Sequence, residues 1–310
     1  MDRRAVTVFG ASGFIGRHLV QRLTEDGWIV RAAVRDVEAA GFLRMFGQTG
    51  QVVPMSADVA DRASVEPVVD GVQAVVNLVG ILYQRGRTTF RRVHVDGAAN
   101  VAAAARAAGV ERLVQMSAIG ADPDSEAEYG RTKWEGEQAA RQTFEGVAIT
   151  RPSVVFGPED DFFNRFATLA RFLPVLPVFP TRFQPVWVGD VADAIARILG
   201  NPETAGKTYE LGGPQVITFR RFLEIVLRET GRKRLLVELP LAVAEVQALF
   251  LEWLPVPPLT RDQVKLLGRD NVVSASALTL RDLGIQPTAI EAIVPAYLAR
   301  YRPQSARVRR

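Results

Sequence analysis

The chain has 310 residues, 48% hydrophobic and 23% charged, enough for one large or two fused domains sharing a substantial core. It has no cysteine, which excludes a disulfide scaffold, a thiolate zinc site and a cysteine nucleophile. Its two histidines, His18 and His94, are too few and too far apart in sequence for a histidine metal site.

The net charge of +4 and pI near 9.7 favour anionic partners or an anionic membrane surface, but no aromatic–basic interleaving marks a nucleic-acid track. Part of the excess sits in the tail, at Arg300, Arg302, Arg307, Arg309 and Arg310. No uninterrupted apolar run reaches membrane-spanning length. The opening MDRRAVTVFGASG runs straight into a strand and is read as no signal peptide.

In chain order, strand and helix signals alternate. Strands are expected at Ala5–Phe9, Ile29–Val34, Val52–Met55, Ala74–Leu78, Leu113–Met116 and Ala148–Arg151. Helices are expected between them, at Phe14–Glu25, Val37–Phe46, Ser64–Asp70, Val95–Ala108 and Glu126–Phe144. The strands are apolar throughout, as strands buried on both faces are. This predicts an α/β, Rossmann-like parallel sheet flanked by helices.

After Pro152 the texture changes. Prolines cluster at 174, 177, 180 and 185, and again at 240, 255, 257 and 258. Strands thin out to Lys207–Leu211 and Leu235–Glu238. Helices are expected at Asn164–Phe172, Val191–Leu199, Phe219–Thr230, Leu241–Leu254, Arg261–Leu267 and Ala289–Tyr301. The expected division is residues 1–157 as a dinucleotide-binding domain, with 186–212 returning to it. Residues 158–185 and 213–310 then form a smaller, mostly helical region.

Gly10-Ala-Ser-Gly13-Phe-Ile-Gly16 follows the first strand and opens the first helix. Gly10 permits the tight turn, Gly13 lets backbone approach a pyrophosphate, and Gly16 allows close helix–strand contact. Ser12, Phe14 and Ile15 share this turn and count among the cofactor residues. Cofactor choice is read at the end of the second strand, where an acid would bind the adenosine ribose of NAD. Here Val34 is followed by Arg35, whose guanidinium can pair with a 2′-phosphate, so NADPH is favoured over NAD(H). The competing reading makes Arg35 a solvated loop charge and lets Asp36 reach the ribose. Asp58-Val59 follows the third strand, where a carboxylate can accept from the adenine amino group. Asp58, Asp61 and Ser64 are also candidate helix caps. Val79-Gly80 ends the fourth strand, where glycine lets the chain pass close to the cofactor or simply turn.

Tyr129 and Lys133 stand four apart at the start of a predicted helix and share a face. A lysine there can lower the phenol pKa and hold a ribose hydroxyl, leaving the tyrosine to exchange a proton with a carbonyl or alcohol. Ser117, at the end of the fifth strand, is the candidate hydroxyl for orienting substrate, or else merely bonds the strand end.

These residues carry a resemblance. GASGFIG (10–16), Asp58-Val59, YGRTK (129–133), RPSVVFGP (151–158) and VGDVADAI (188–195) resemble the extended short-chain dehydrogenase/reductase superfamily over nearly the whole chain. VVNLVGILY (75–83), FRRVHVDGAANVAAAARAAGVERLV (90–114) and TYELGGP (208–214) resemble its atypical branch. That branch contains the NADPH-binding accessory subunit of respiratory complex I, alpha subcomplex subunit 9 type.

The resemblance implies Gly10, Gly13 and Gly16 at the pyrophosphate, Arg35 at the 2′-phosphate, and Tyr129 and Lys133 beside the nicotinamide ribose. Pro152 to Val155 would line the nicotinamide face. Two departures weigh against catalysis: the orienting hydroxyl of family enzymes falls near Ile119, and those enzymes often carry Asn where this chain has His94.

The leading expectation is therefore an accessory or assembly subunit of NADH:quinone oxidoreductase whose NADPH is structural. It would stabilise the folded state by linkage, beside peripheral-arm and membrane-junction subunits and anionic lipid headgroups. It would lie on the cytoplasmic side of a bacterial inner membrane or the matrix side of a mitochondrial one. The alternative is an active, soluble, cytoplasmic NADP-dependent reductase, epimerase or dehydratase using Tyr129, Lys133 and Ser117. Phe162–Phe166, Phe172–Phe179 and Leu249–Leu254 are read either as docking segments or as core. Arg165, Arg171 and Arg182 are read as headgroup or phosphate ligands, or as solvated charges.

Overall fold

Strands that are apolar on both faces pack into the middle of a sheet. The computed structural model describes residues 4–254 and 257–303. Pro255 and the basic tail at Arg307, Arg309 and Arg310 lie outside these. The first unit runs to Pro152 and adds Gly189–Leu211 and Ser276–Ile285; the second takes Ser153–Val188, Gly212–Ala275 and the chain from Gln286. The last short return, Ser276–Ile285, had no signal in the sequence.

The first stretch runs β1 (Ala5–Phe9), α1 (Phe14–Glu25), β2 (Ile29–Val34), β3 (Val52–Ser56), α2 (Arg62–Val69) and β4 (Ala74–Asn77). It continues through α3 (Gly97–Ala107), β5 (Arg112–Met116), α4 (Glu128–Thr143) and β6 (Ala148–Pro152). The chain then gives β7 (Val155–Phe156), α5 (Phe162–Phe172), β8 (Val175–Val178), β9 (Arg182–Phe183), β10 (Val186–Trp187), α6 (Val188–Gly200) and β11 (Thr208–Leu211). It closes with β12 (Ile217–Thr218), α7 (Phe219–Thr230), β13 (Leu235–Glu238), α8 (Leu241–Leu251), α9 (Arg261–Leu267) and α10 (Ile290–Leu298).

The first unit holds a seven-stranded sheet in the order β11-β6-β5-β4-β1-β2-β3. Every pairing in it is parallel. Val6, Val8, Val30, Ala32, Val75 and Val76 are all buried, as parallel strands with covered faces require. One face packs on α2, α3 and α4 through Val65, Val68, Val101, Ala105 and Ala140. Thr7, fully buried in β1, spends its hydroxyl on the Val68 carbonyl at 2.5 Å.

Three expected helices come out differently. Over Val37–Phe46 only a 3-10 segment forms, at Gly41–Phe46. Asp36 turns the chain first, accepting from the Ala39 amide at 3.0 Å. The helix expected from Val95 begins earlier, as a π-turn over Arg91–Asp96 that feeds α3. There Gly136 of α4 presses on the His94 carbonyl group, leaving no room for a β-carbon. The expected Leu241–Leu254 helix ends at Leu251, where Glu252 turns to bind Arg261 at 3.0 Å.

The second unit is built around aromatic rings. Phe162 and Phe222 meet at 4.4 Å between centroids and Phe163 and Phe222 at 4.7 Å, with Phe156, Phe183 and Phe219 around them. Three strand pairs edge this core, β10–β7 and β13–β8 parallel and β12–β9 antiparallel. Of these strands β13 matches the expected Leu235–Glu238, while the sequence gives little sign of its partner β8, which contains Pro177, or of the others, which are two residues long. Among the described residues no helix is long and apolar enough to cross a membrane.

Candidate functional site

The glycine turn is set by three separate steric demands. Gly10 has φ 77°, which other residues reach only at a cost, and its amide bonds the Ala33 carbonyl at the end of β2. A β-carbon on Gly13 would stand 3.1 Å from the Gly10 oxygen. One on Gly16 would strike that oxygen and lie 2.7 Å from Ala11 Cα, so α1 can dock on β1 only through glycine. Gly13 caps α1 without any side-chain bond. The amides of the first turn, at Phe14, Ile15 and Gly16, therefore keep their donors and the helix dipole for an anion. Arg17 braces the loop by bonding the Ser12 carbonyl at 3.2 Å.

At the end of β2 the Arg35 and Asp36 side chains are both exposed: the arginine stands without an ion pair among the described residues, and one oxygen of the Asp36 carboxylate accepts from the Ala39 amide. After β3, Asp61 caps α2 through the Ala63 amide at 3.2 Å. Asp58 accepts from the Ala60 amide at 2.9 Å and remains exposed. Val59 is buried against Gly97, and its carbonyl takes the Asn100 amide at 2.9 Å.

A network the sequence reading did not find fixes the ends of β4 and β5. Buried Asn77 donates to Gln115 at 2.9 Å and accepts from the Val79 amide at 3.1 Å. That holds Val79 and Gly80 in place next to the Gly10 turn. A β-carbon on Gly80 would lie 3.7 Å from both His94 Nε2 and Lys133 Nζ, so the chain, a histidine and a lysine converge there.

His94 sits on the π-turn, buried. Its Nε2 accepts from the Ile81 amide at 3.1 Å, and its Nδ1 lies 3.0 Å from Thr132 Oγ1. Thr132 spends its own hydroxyl hydrogen on the Glu128 carbonyl at 2.9 Å, so Nδ1 carries the hydrogen and Nε2 the lone pair. Burial, and then the charge of Lys133, lower His94 from its ordinary 6.5 to about 3. The ring stacks on Phe90 at 5.4 Å and meets the Tyr129 ring edge-on at 5.4 Å.

Lys133 is buried and donates to the Met116 carbonyl at 2.9 Å, one residue before Ser117. Desolvation lowers it to about 8, with Glu137 opposing. Glu137 itself is held bidentate by Arg151, at 2.8 and 2.7 Å. Tyr129 corrects an expectation. The lysine does not bring its phenol down; desolvation pushes it up to about 12. Ser117 is buried, and its Oγ has no hydrogen-bond partner among the described residues. It therefore does not bond the strand end, which leaves an orphaned hydroxyl beside the tyrosine–lysine helix.

Pro152 ends β6 and accepts from the Ile119 amide at 3.1 Å. The side chain at 119 is buried and aliphatic, so the position where family enzymes carry the hydroxyl offers none. Val155 lies on β7, in the second unit. In that unit Arg182 is paired with Asp270 at 2.6 Å, and Arg165 with Asp161 at 3.6 Å. Of the three arginines considered as anion ligands, Arg171 alone has no ion pair recorded among the described residues.

The residues of the glycine turn suit a dinucleotide, and comparison with known proteins agrees. A family described as NAD(P)H-binding matches residues 10–147. The mitochondrial NADH-ubiquinone oxidoreductase 40 kDa subunit of Neurospora crassa is 34% identical, over 96% of this chain and 79% of its own. The NADH dehydrogenase alpha subcomplex subunit 9 of Arabidopsis thaliana is 35% identical, over 96% and 77%. A ceramide reductase of Caulobacter vibrioides is 33% identical over 64% of this chain and 60% of its own. Among solved structures, Citrobacter sp. triphenylmethane reductase complexed with NADP(H) has the same fold at a TM-score of 0.74, with 20% identity over 96% of this chain and 99% of that one. MoeE5 in complex with UDP-glucose and NAD follows at 0.70, with 18% identity over 98% and 99%.

Proposed function

The chain belongs to the NAD(P)H-binding family of extended short-chain dehydrogenase/reductases that includes the alpha subcomplex subunit 9 of mitochondrial NADH dehydrogenase, and from that premise we propose that it is an NADP(H)-dependent reductase of carbonyl compounds. The observation that carries this reading is the orphaned Ser117 Oγ, held next to the Tyr129–Lys133 pair by the Lys133–Met116 bond. A buried hydroxyl without a partner costs stability unless a ligand completes it.

The protonation states favour reduction over oxidation. Tyr129, near 12, holds its proton at neutral pH and can give it to a carbonyl oxygen. Lys133, near 8, is still mostly charged there and stabilises the phenolate that proton transfer leaves. Ser117 Oγ donates to the same substrate oxygen and fixes its direction. When bound at the glycine turn, NADPH would supply the hydride that such a reduction requires. The carbon gains the hydride, the oxygen gains the Tyr129 proton, the product is an alcohol, and solvent returns a proton to Tyr129. His94 stays neutral and holds the Ile81 amide and the Tyr129 ring in register. The preference for NADP(H) is supported by Arg35, unpaired at the end of β2 while Asp36 caps a turn.

A second reading has its own support. Similarity to complex I subunits over 96% of the chain favours an accessory subunit whose NADPH is structural, peripheral to an inner membrane. One purification separates the two. The protein is extracted from native membranes in mild detergent, and the same fractions are assayed for bound nucleotide and for carbonyl-dependent loss of NADPH absorbance. Turnover that falls about 10²- to 10⁴-fold in Tyr129→Phe, with NADPH binding retained, supports the reductase. Stoichiometric migration with NADH:quinone oxidoreductase subunits, carrying NADPH that no carbonyl compound consumes, supports the accessory subunit and removes the first reading.

A further inference from the structure

Helix α8 has the sequence LAVAEVQALFL, apolar around most of its circumference. Only one side is used for packing: Ala244 and Ala248 are buried in the aromatic core of the second unit. The other side is open. Val246 is 60% exposed, Phe250 71% and, just past the helix, Trp253 88%. Val243, Leu249 and Leu254 are exposed with them. A soluble helix is expected to be polar on its free face, and a nearly bare tryptophan beside a bare phenylalanine is not something folding requires.

The strand pair that leads into α8 shows the same pattern. In the β13–β8 register Leu235 stands beside Val175 and Val237 beside Pro177. Leu235, Val175 and Val237 are all exposed, while Leu236 and Leu176 carry the packing. From 235 to 254 the chain has no Lys or Arg, and of its three carboxylates Glu238 pairs with Arg220 and Glu252 with Arg261, while Glu245 is exposed on α8.

Immediately before this run lies a cluster of cations. Arg232, Lys233 and Arg234 precede β13, and Arg234 Nε reaches back to the Ala170 carbonyl at 2.9 Å, at the end of α5 where Arg171 lies. Arg171 sits over the Phe172 ring at 5.5 Å, and Phe172 is itself exposed. No ion pair is recorded for any of these four cations among the described residues. Arg234 and Arg171 stand close enough to Arg232 to help burial lower its pKa. Like charges crowded without carboxylates are at their most stable against an anionic surface.

We propose that this face of the second unit seats the protein on an anionic lipid bilayer, with Phe250, Trp253 and Leu254 entering the interface and Arg171, Lys233 and their neighbours meeting the phosphates. The association is interfacial, since no described helix can span. Charge decides between a membrane and an apolar groove on another protein: exposed Phe172 lies under Arg171, and the exposed apolar run of β13 and α8 follows directly on Arg232–Arg234 in the chain, a composition that matches a bilayer surface. The inference does not depend on which reading of the cofactor site is correct.

The test is flotation of the full chain with vesicles of phosphatidylcholine alone, or of phosphatidylcholine with phosphatidylglycerol, at low and high salt. The wild type is expected to float with the anionic vesicles at low salt and to be released by salt. Phe250→Ser/Trp253→Ser and, separately, Arg171→Glu/Lys233→Glu are each expected to lower binding about tenfold or more. NADPH binding, measured on the same preparations, reports that both variants are folded. Brominated lipid is expected to quench wild-type tryptophan emission, and Trp253→Phe to lose that quenching while still floating. A wild type that fails to float with anionic vesicles overturns the proposal and leaves the face to a protein partner. So does binding that neither double variant weakens.

Discussion

The two units place their large apolar side chains in opposite ways. Of the fifteen exposed large hydrophobic residues among those described, twelve belong to the second unit and only Met45, Val53 and Leu82 to the first. The first unit hides its Val, Ile and Leu inside a parallel sheet, and what it offers outside is backbone: helix amides, strand ends and a glycine turn. The second unit satisfies its core with phenylalanine rings and still has apolar surface left over on α8 and β13. The first unit is built on how closely chain segments approach one another, whereas the second leaves exposed large side chains that its own core does not pack. Perturbations should therefore be costly at small residues in one unit and nearly neutral at large residues in the other.

The largest expected effect is at Gly16. Gly16→Ala puts a β-carbon onto the Gly10 carbonyl and Ala11, backbone that cannot swing aside as a flexible side chain would. The expected cost is about 3 kcal/mol, the upper end for overpacking, with NADPH binding lost. Gly200→Ala in α6 meets nothing within 4 Å and is expected to be neutral or slightly stabilising. Denaturant melts of both variants, with and without NADPH, check the pair. Equal stability of the two would mean that the turn is not limited by close approach.

Next is the pH response of the first unit. His94 is lowered from 6.5 to about 3 in the folded protein. Between those values the unfolded chain binds a proton that the folded one refuses. This contribution is absent above pH 6.5 and destabilises the fold as pH falls toward 3. The slope reaches about 1.4 kcal/mol per pH unit where the site is fully coupled. His94→Asn removes the titrating ring. It will lower stability at pH 7.5 through lost contact with Phe90 and Tyr129, but its melts between pH 6.5 and 4.5 should flatten relative to wild type. An unchanged slope would show that carboxylates elsewhere, not His94, govern acid sensitivity.

His94 also marks where the sequence stopped being legible. β1, α1 and β2 could be read to the residue, because strands buried on both faces are apolar throughout and a glycine turn starts a helix abruptly. Tyr129 and Lys133 were visible because residues four apart on a helix share a face. The Asn77–Gln115 bond and the His94–Thr132 contact each join residues 38 apart, and no local pattern announces them. The π-turn at Arg91–Asp96 arises from tertiary crowding against Gly136, so the sequence reading drew an ordinary helix from Val95. In the second unit the large apolar segments were readable, but not their division. Phe163, Leu176 and Phe179 went inside while Phe172, Phe250 and Trp253 stayed out. That division depends on which side of each element meets the core.

A smaller effect is expected at Arg35. Under the proposed preference for NADP(H), Arg35 at the end of β2 is the group that selects the 2′-phosphate, while Asp36 accepts from the Ala39 amide. Arg35→Ser should weaken NADPH about 10- to 100-fold, the size of a lost charge-assisted contact, and leave NADH affinity nearly unchanged. Titrating both nucleotides by fluorescence reads the ratio. If both weaken together, the residue stabilises the loop and does not choose the cofactor.

The smallest effect belongs to the second unit and is the sharpest test of the contrast. Phe250→Ser/Trp253→Ser removes two large aromatic side chains, a change that inside a core would cost several kcal/mol. Here Phe250 and Trp253 are 71% and 88% exposed in the folded protein, close to their state in the unfolded chain, so little burial is lost. Stability in solution should stay within about 0.5 kcal/mol of wild type. Thermal melts without lipid provide the measurement. A clear drop would mean that α8's outer face is packed in solution, by a second copy or by its own chain, and that the second unit, like the first, uses its apolar surface for folding.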